Sequence, residues 1–180
     1  MGKATVTDED LRAALAKLAS FGFEPREAVT AEDVAYQQGS AGLLETLLVM
    51  DRPSQVDGDD PEPLFPRVFV VDYEFVDHDE AYEDFLHWAS TAAGTADRVS
   101  DVVNDIGLED GADGGRFAYR VDGRHREYEV DNNGDWGDGD VVEEILEDVS
   151  PPGHRPVRFG DSVAWVPEQH EVAFSRALTP

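Results

Sequence analysis

Apolar residues recur with a helical period along the first fifty positions. Leu11, Ala14, Leu15 and Leu18 fall at i, i+3, i+4 and i+7 and so line one face of a helix. Thr7 with Asp10 three positions on makes a capping-box start. Asp8 and Glu9 sit where the helix dipole favours anions, and Gly22 supplies the stop. A second helix is predicted from Thr30, with Asp33 again at the third position, running through Val34, Leu43, Leu44, Leu47 and Leu48. Gly39 and Gly42 in "QQGSAG" are positions at which it could break in two.

The period then changes. Residues 54–66, "SQVDGDDPEPLFP", hold four acids and three prolines and read as a linker. Residues 67–76, "RVFVVDYEFV", are rich in β-branched and aromatic residues and predict a strand. Asp77, Asp79 and Glu80 lead a helix in which Tyr82, Phe85, Leu86 and Ala89 share a face and which Gly94 ends. Residues 99–106, "VSDVVNDI", fit a strand or a single helical turn, and residues 111–115 read as a flexible turn. "RFAYRV" and "RHREYEV" flank Asp122-Gly123, the favoured signal for a type I′ hairpin because both turn residues need positive φ. Phe117, Tyr119 and Val121 point to one face, as Tyr128 and Val130 do on the return strand. Asp140 caps a short helix whose stripe is Val141, Val142, Ile145, Leu146 and Val149. After the loop "SPPGHRP", residues 157–159 and 163–166 bracket Gly160-Asp161 as a second hairpin, and Pro167 starts the last helix.

This order predicts an α+β fold, a mainly antiparallel sheet built from hairpins with helices packed on one face or at its ends. A length of 180 residues suggests one domain: a helical part over 1–50, the acidic Pro-rich linker over 54–66 and an α+β part over 67–180.

Composition adds exclusions. The hydrophobic share of 41% suits a folded core, and the absence of cysteine excludes disulfides, zinc-thiolate sites and thiol catalysis. "MGKATVTDEDL" shows no apolar leader, and the run at Leu47–Met50 is far too short to cross a bilayer, so a cytoplasmic location is expected. Charge changes the picture most: 40 Asp and Glu against 14 Lys and Arg leave a net −26. Such a chain repels phosphate backbones and anionic lipid, so neither nucleic acid nor membrane is an expected partner. Residues 51–115 carry 18 acids and 3 bases, and residues 116–150 carry 11 and 4. Residues 1–50 carry 8 and 4, and residues 151–180 carry 3 and 3. A coat of carboxylates for a salty cytoplasm should be more even, so the clustering favours a surface matched to a basic protein. Only two bases are Lys, which suits a GC-rich genome, halophilic or actinobacterial.

The stretch "EVDNNGDWGDGD" at 129–140 invites comparison with a calcium loop. Asp131, Asn133 and Asp135 match the first three ligand positions. Trp136 stands where the loop needs Gly, and Val142 where it needs the closing Glu. No metal site is therefore expected. The alternative is a turn through 132–134, with Trp136 as a buried anchor near Tyr119 or Tyr128 and the acids facing a partner. The five histidines show no HxH or HExxH spacing, and His78 and His87 lie nine residues apart, about two and a half helical turns. No GxSxG, Walker-type or GxGxxG motif occurs, so no catalytic residue and no cofactor is assigned. The candidate partner-binding residues are Asp77, Asp79, Glu80, Asp131, Asp135, Asp138 and Asp140.

"YRVDGRHREYEVDNNGDWGDGDVVEEIL" followed by "FGDSVAWVPEQHEVAF" resembles small immunity proteins of bacterial polymorphic-toxin systems, over residues 68–180. The shared pattern is a hairpin leading to an N-G-D-W turn and an acid-led helix, then a short hairpin feeding a Pro-Glu-Gln helix start. The resemblance implies an inhibitor that covers the active site of a cognate toxin, such as a basic nuclease, and catalyses nothing itself. The competing expectations are a salt-adapted cytoplasmic domain of unrelated function and an enzyme whose site no motif marks.

Overall fold

A computed structural model describes residues 6–37, 42–52, 62–107, 114–134 and 136–178. In chain order the elements are α1 (Asp8–Ser20), α2 (Ala31–Gln37), α3 (Leu43–Val49), β1 (Val68–Val70), α4 (Ala81–Ala93), β2 (Val99–Ile106), β3 (Gly114–Val121), β4 (Arg124–Asp131), α5 (Gly139–Asp148), β5 (His154–Phe159), β6 (Ser162–Pro167) and α6 (Glu171–Leu178). The fold is α+β, with two antiparallel three-stranded sheets ordered β1-β6-β5 and β2-β3-β4.

The chain forms two compact units. Met1–Val70 with Gly153–Pro180 makes the first, and Val71–Pro152 makes the second. This departs from the expected division into a helical part and a continuous α+β part. The reason is visible in the first unit's core: Val157, Phe159, Ala164 and Val166 of the last hairpin join Leu18, Leu47, Leu48 and Phe65 in one apolar cluster. Phe174 sits within it, its ring centroid 5.3 Å from that of Phe21 and 5.4 Å from that of Phe23. Leu64 and Phe65, the apolar end of the predicted linker, are fully buried here, and Leu64 N donates to Met50 O at 2.7 Å. The rest of the linker, 54–61, lies outside the described residues.

Local signals in this unit act as read. Thr7 Oγ accepts from Asp10 N while Asp10 accepts back from Thr7 N, and Thr30 with Asp33 repeats the exchange. Those donors hold the Asp10 and Asp33 carboxyls below the usual range, the Thr hydroxyl contributing most. The long second helix is two helices, α2 and α3. The strand expected over 67–76 shrinks to three residues, β1. Beyond it Asp72 Oδ1 accepts from Glu74 N at 3.0 Å, a local turn that competes with ladder pairing. Pro167 ends β6 instead of opening a helix. A 3₁₀ turn, Glu168–His170, intervenes before α6.

In the second unit, Asp122 and Gly123 take φ of 50° and 75°, the positive pair that a type I′ turn requires. Residues 99–106 form a strand, β2, with its register broken between Ser100 and Val103. Gly114 and Gly115, expected in a flexible turn, belong to β3. A Cβ on either would strike a backbone carbonyl, that of Val130 or Asp105, so glycine permits the close approach. Phe117, Tyr119, Val121 and Val130 form the inner sheet face, where the Tyr82 ring of α4 lies 5.7 Å from that of Phe117. The outer face is an ion-pair lattice. Arg116 meets Glu127 at 2.8 Å and Asp105 at 3.7 Å, His125 meets Glu127 at 3.0 Å, and Arg120 meets Asp101 at 3.2 Å. Arg116, then His125, pulls the Glu127 carboxyl down to about 2. Among the described residues no helix is long and apolar enough to cross a membrane.

Candidate functional site

The acidic loop leaves the end of β4 and enters α5, and its shape is fixed by backbone hydrogen bonds. Asn133 and Trp136 bond each other, N to O, at 3.1 and 3.3 Å, and Gly134 takes φ of 69° in the turn between them. Asp138, not Asp140, is the N-cap of α5: its Oδ1 accepts from Asp140 N at 3.1 Å and from Val141 N at 3.3 Å. Its Oδ2 takes the amide of Asp131 at 3.1 Å, closing the loop on itself.

A buried hydroxyl ties this loop to α4. Tyr82 donates to Asn132 Oδ1 at 2.6 Å and accepts from Asp138 N at 2.6 Å. Desolvation pushes that phenol up to about 12. Gly137 N donates to Tyr73 O at 2.8 Å, and Gly137 lies against the Phe75 ring so closely that a Cβ would collide with it. Phe75 is itself pinned between Tyr82 and Phe85, with centroids at 5.1 and 4.9 Å.

The anchor expected of Trp136 is therefore supplied by Asn132, Gly137 and Tyr82. Trp136 is 49% exposed. The cause is alternation: Asn132 turns inward and Gly137 faces Phe75, so the paired residues between them, Asn133 and Trp136, point outward. Trp88 on α4 is similarly exposed, at 50%, because Tyr82, Phe85, Leu86 and Ala89 define the buried stripe and Trp88 falls off it.

The predicted partner-binding acids separate into kinds. Asp131 and Asp140 are exposed, the first at the end of β4 and the second in the first turn of α5. Asp138 is half-buried, and its carboxylate accepts from three backbone amides as the cap of α5. Asp135 lies outside the described residues. Asp77 and Glu80 are exposed and Asp79 is half-buried, its carbonyl accepting from Asn104 Nδ2 at 2.6 Å. Both acidic stretches border one aromatic hub, since Asp77, Asp79 and Glu80 lie between Phe75 and Tyr82 in the chain.

His78 sits between one of these acids and a residue of α4, with Nδ1 2.6 Å from Asp77 and Nε2 3.1 Å from Asp84. The Asp77 contact first, then Asp84, raises its pKa above 6.5. A raised folded pKa gives stability that is complete below pH 6.5 and lost as pH rises through the folded value. An imidazole titration followed by NMR should place His78 above an unstructured histidine, and Asp84→Asn should lower it. An unchanged midpoint in that variant would show that Asp84 does not stabilise the charged imidazole.

A second cluster escaped sequence reading. Tyr119 and Tyr128 both donate to Asp148 Oδ2 at 2.9 Å, and Arg126 meets Asp148 Oδ1 at 2.7 Å. The Asp148 side chain is only 5% exposed. Desolvation, reinforced by this carboxylate, raises Tyr119 strongly and takes Tyr128 to about 12. Strand alternation put the two tyrosines on one face, but nothing in the sequence links Asp148, the last residue of α5, to them.

Among the described residues no group of three His, Asp or Glu side chains is placed to hold a metal ion. No family model, no curated protein and no solved structure matches this chain.

Proposed function

We propose that the chain is a non-catalytic protein-binding module that meets a basic partner through its second unit, as an immunity-like inhibitor meets its toxin. The observation that carries this reading is the uneven charge of the two units. Val71–Pro152 holds 24 Asp and Glu against 5 Arg, a net −19, while the remainder holds 16 against 9 Lys and Arg, a net −7. Four of those five arginines are spent internally, Arg98 on Asp122, Arg116 on Glu127, Arg120 on Asp101 and Arg126 on Asp148. The field presented outward is strongly negative, which raises the encounter rate with a cationic protein by roughly 10–1000-fold at low salt. Trp136, half exposed and bonded through its backbone to Asn133, adds the aromatic anchor that protein interfaces favour.

The test is capture on the immobilised chain at low salt from cells that carry its gene, followed by the same capture on two variants. A basic protein released by salt, retained by Glu9→Lys/Glu24→Lys and lost by Asp131→Lys/Asp140→Lys, supports the reading. Each variant changes one acid outside the helices and one first-turn helix acid, Glu9 or Asp140, so helix-dipole costs are matched. Equal behaviour of the two variants, with folding stabilised by molar salt, would instead mark the acidity as salt adaptation.

A further inference from the structure

The first unit carries an open cleft of about 270 Å³ lined by Glu45, Val49, Val70, Phe159, Gly160, Asp161 and Ser162. Val49 closes α3 and Val70 closes β1, and both are exposed, at 40% and 54%. Glu45 lies one helical turn before Val49 and so on the same face. Asp161 occupies the turn between β5 and β6, so the two carboxylates come from different elements. None of the seven lining residues is basic.

We propose that this cleft receives a lysine or arginine side chain of the basic partner. A long basic side chain has two demands: its aliphatic stem prefers apolar surface and its charged head needs carboxylates and water. Val49, Val70 and Phe159 supply the first, and Glu45 and Asp161, half-buried and exposed respectively, supply the second. A bare inorganic cation would leave the apolar wall unused, and an anion would face two carboxylates. The proposal rests on the reading of a basic partner and adds a contact outside the acid-rich unit.

The experiment uses the whole chain with its valine methyl groups labelled for NMR, titrated with doubly capped lysine, doubly capped arginine and, as the uncharged isostere of the stem, doubly capped norleucine. The cleft should give saturable shifts of the Val49 and Val70 methyls with lysine or arginine, with affinity on the order of 1–10 mM. Norleucine should bind about tenfold more weakly, and the double variant E45Q/D161N should lose about tenfold in affinity for the charged probes while keeping its melting temperature. Equal shifts for norleucine and lysine, non-saturating shifts, or full binding by E45Q/D161N would overturn the cleft. That result would leave the proposed function standing if Asp131→Lys/Asp140→Lys still abolishes partner capture. Silent reversals at Asp131 and Asp140 with intact lysine binding would do the opposite.

Discussion

Replacing Asp148 with alanine should destabilise the second unit by about 3 kcal/mol. The carboxylate is 5% exposed and accepts from two tyrosine hydroxyls while pairing with Arg126. Its removal leaves the buried Tyr119 hydroxyl without this acceptor, at a cost of about 1–3 kcal/mol for an unsatisfied group. Arg126 is 43% exposed and regains water, which keeps the total at the lower end of the range for broken buried pairs. Asp148→Asn retains an acceptor of the same shape and should cost roughly half as much. The same cluster sets an alkaline limit. Tyr128 is raised to about 12, so its contribution is complete below pH 10 and disappears as pH climbs through 12. Urea melts of wild type, Asp148→Ala and Asp148→Asn at neutral pH check the first claim. A loss under about 1 kcal/mol for the alanine variant would show that the cluster is dispensable.

Trp136→Ala should separate folding from binding. The ring is half in solvent, and the loop beneath it is held by Tyr82, Asn132, Asp138 and Gly137, none of which depends on the indole. Stability should therefore change by less than about 1 kcal/mol, where a buried tryptophan would cost about 3–5. Affinity for a captured basic partner should fall by at least about 2 kcal/mol, roughly thirtyfold, through a faster off-rate, because an aromatic anchor acts after encounter. A strong fold defect with unchanged affinity would return Trp136 to the core.

What could be read from sequence was local. Thr7 with Asp10 and Thr30 with Asp33 lie three residues apart, so each cap is decided within one turn. Asp122-Gly123 and the stripe from Val141 to Leu146 are equally self-contained. The misreadings share a different origin. Nothing near Val157 or Val166 says that this hairpin joins a core with Leu18 and Leu47, more than a hundred residues earlier. The direction of Trp136 depends on Phe75 occupying the space beside Gly137, and the cap at Asp138 depends on a tyrosine hydroxyl 56 residues away. For the candidate site, the acidic stretches were legible as composition. The hub that Phe75, Tyr82 and Phe85 build between them was not, since pairing across the fold leaves no periodic trace.

The central claim is that charge in Val71–Pro152 exists to draw in a basic protein, and association kinetics test it most directly. The on-rate of the captured partner should be measured against ionic strength for wild type, Asp131→Lys/Asp140→Lys and Glu9→Lys/Glu24→Lys. Steering is screened over about 8 Å at physiological salt, so the wild-type rate should fall steeply as salt rises. At low salt the Asp131/Asp140 variant should associate roughly tenfold more slowly, and the Glu9/Glu24 variant should stay close to wild type. An on-rate indifferent to salt, or the same slowing from both variants, would contradict the account.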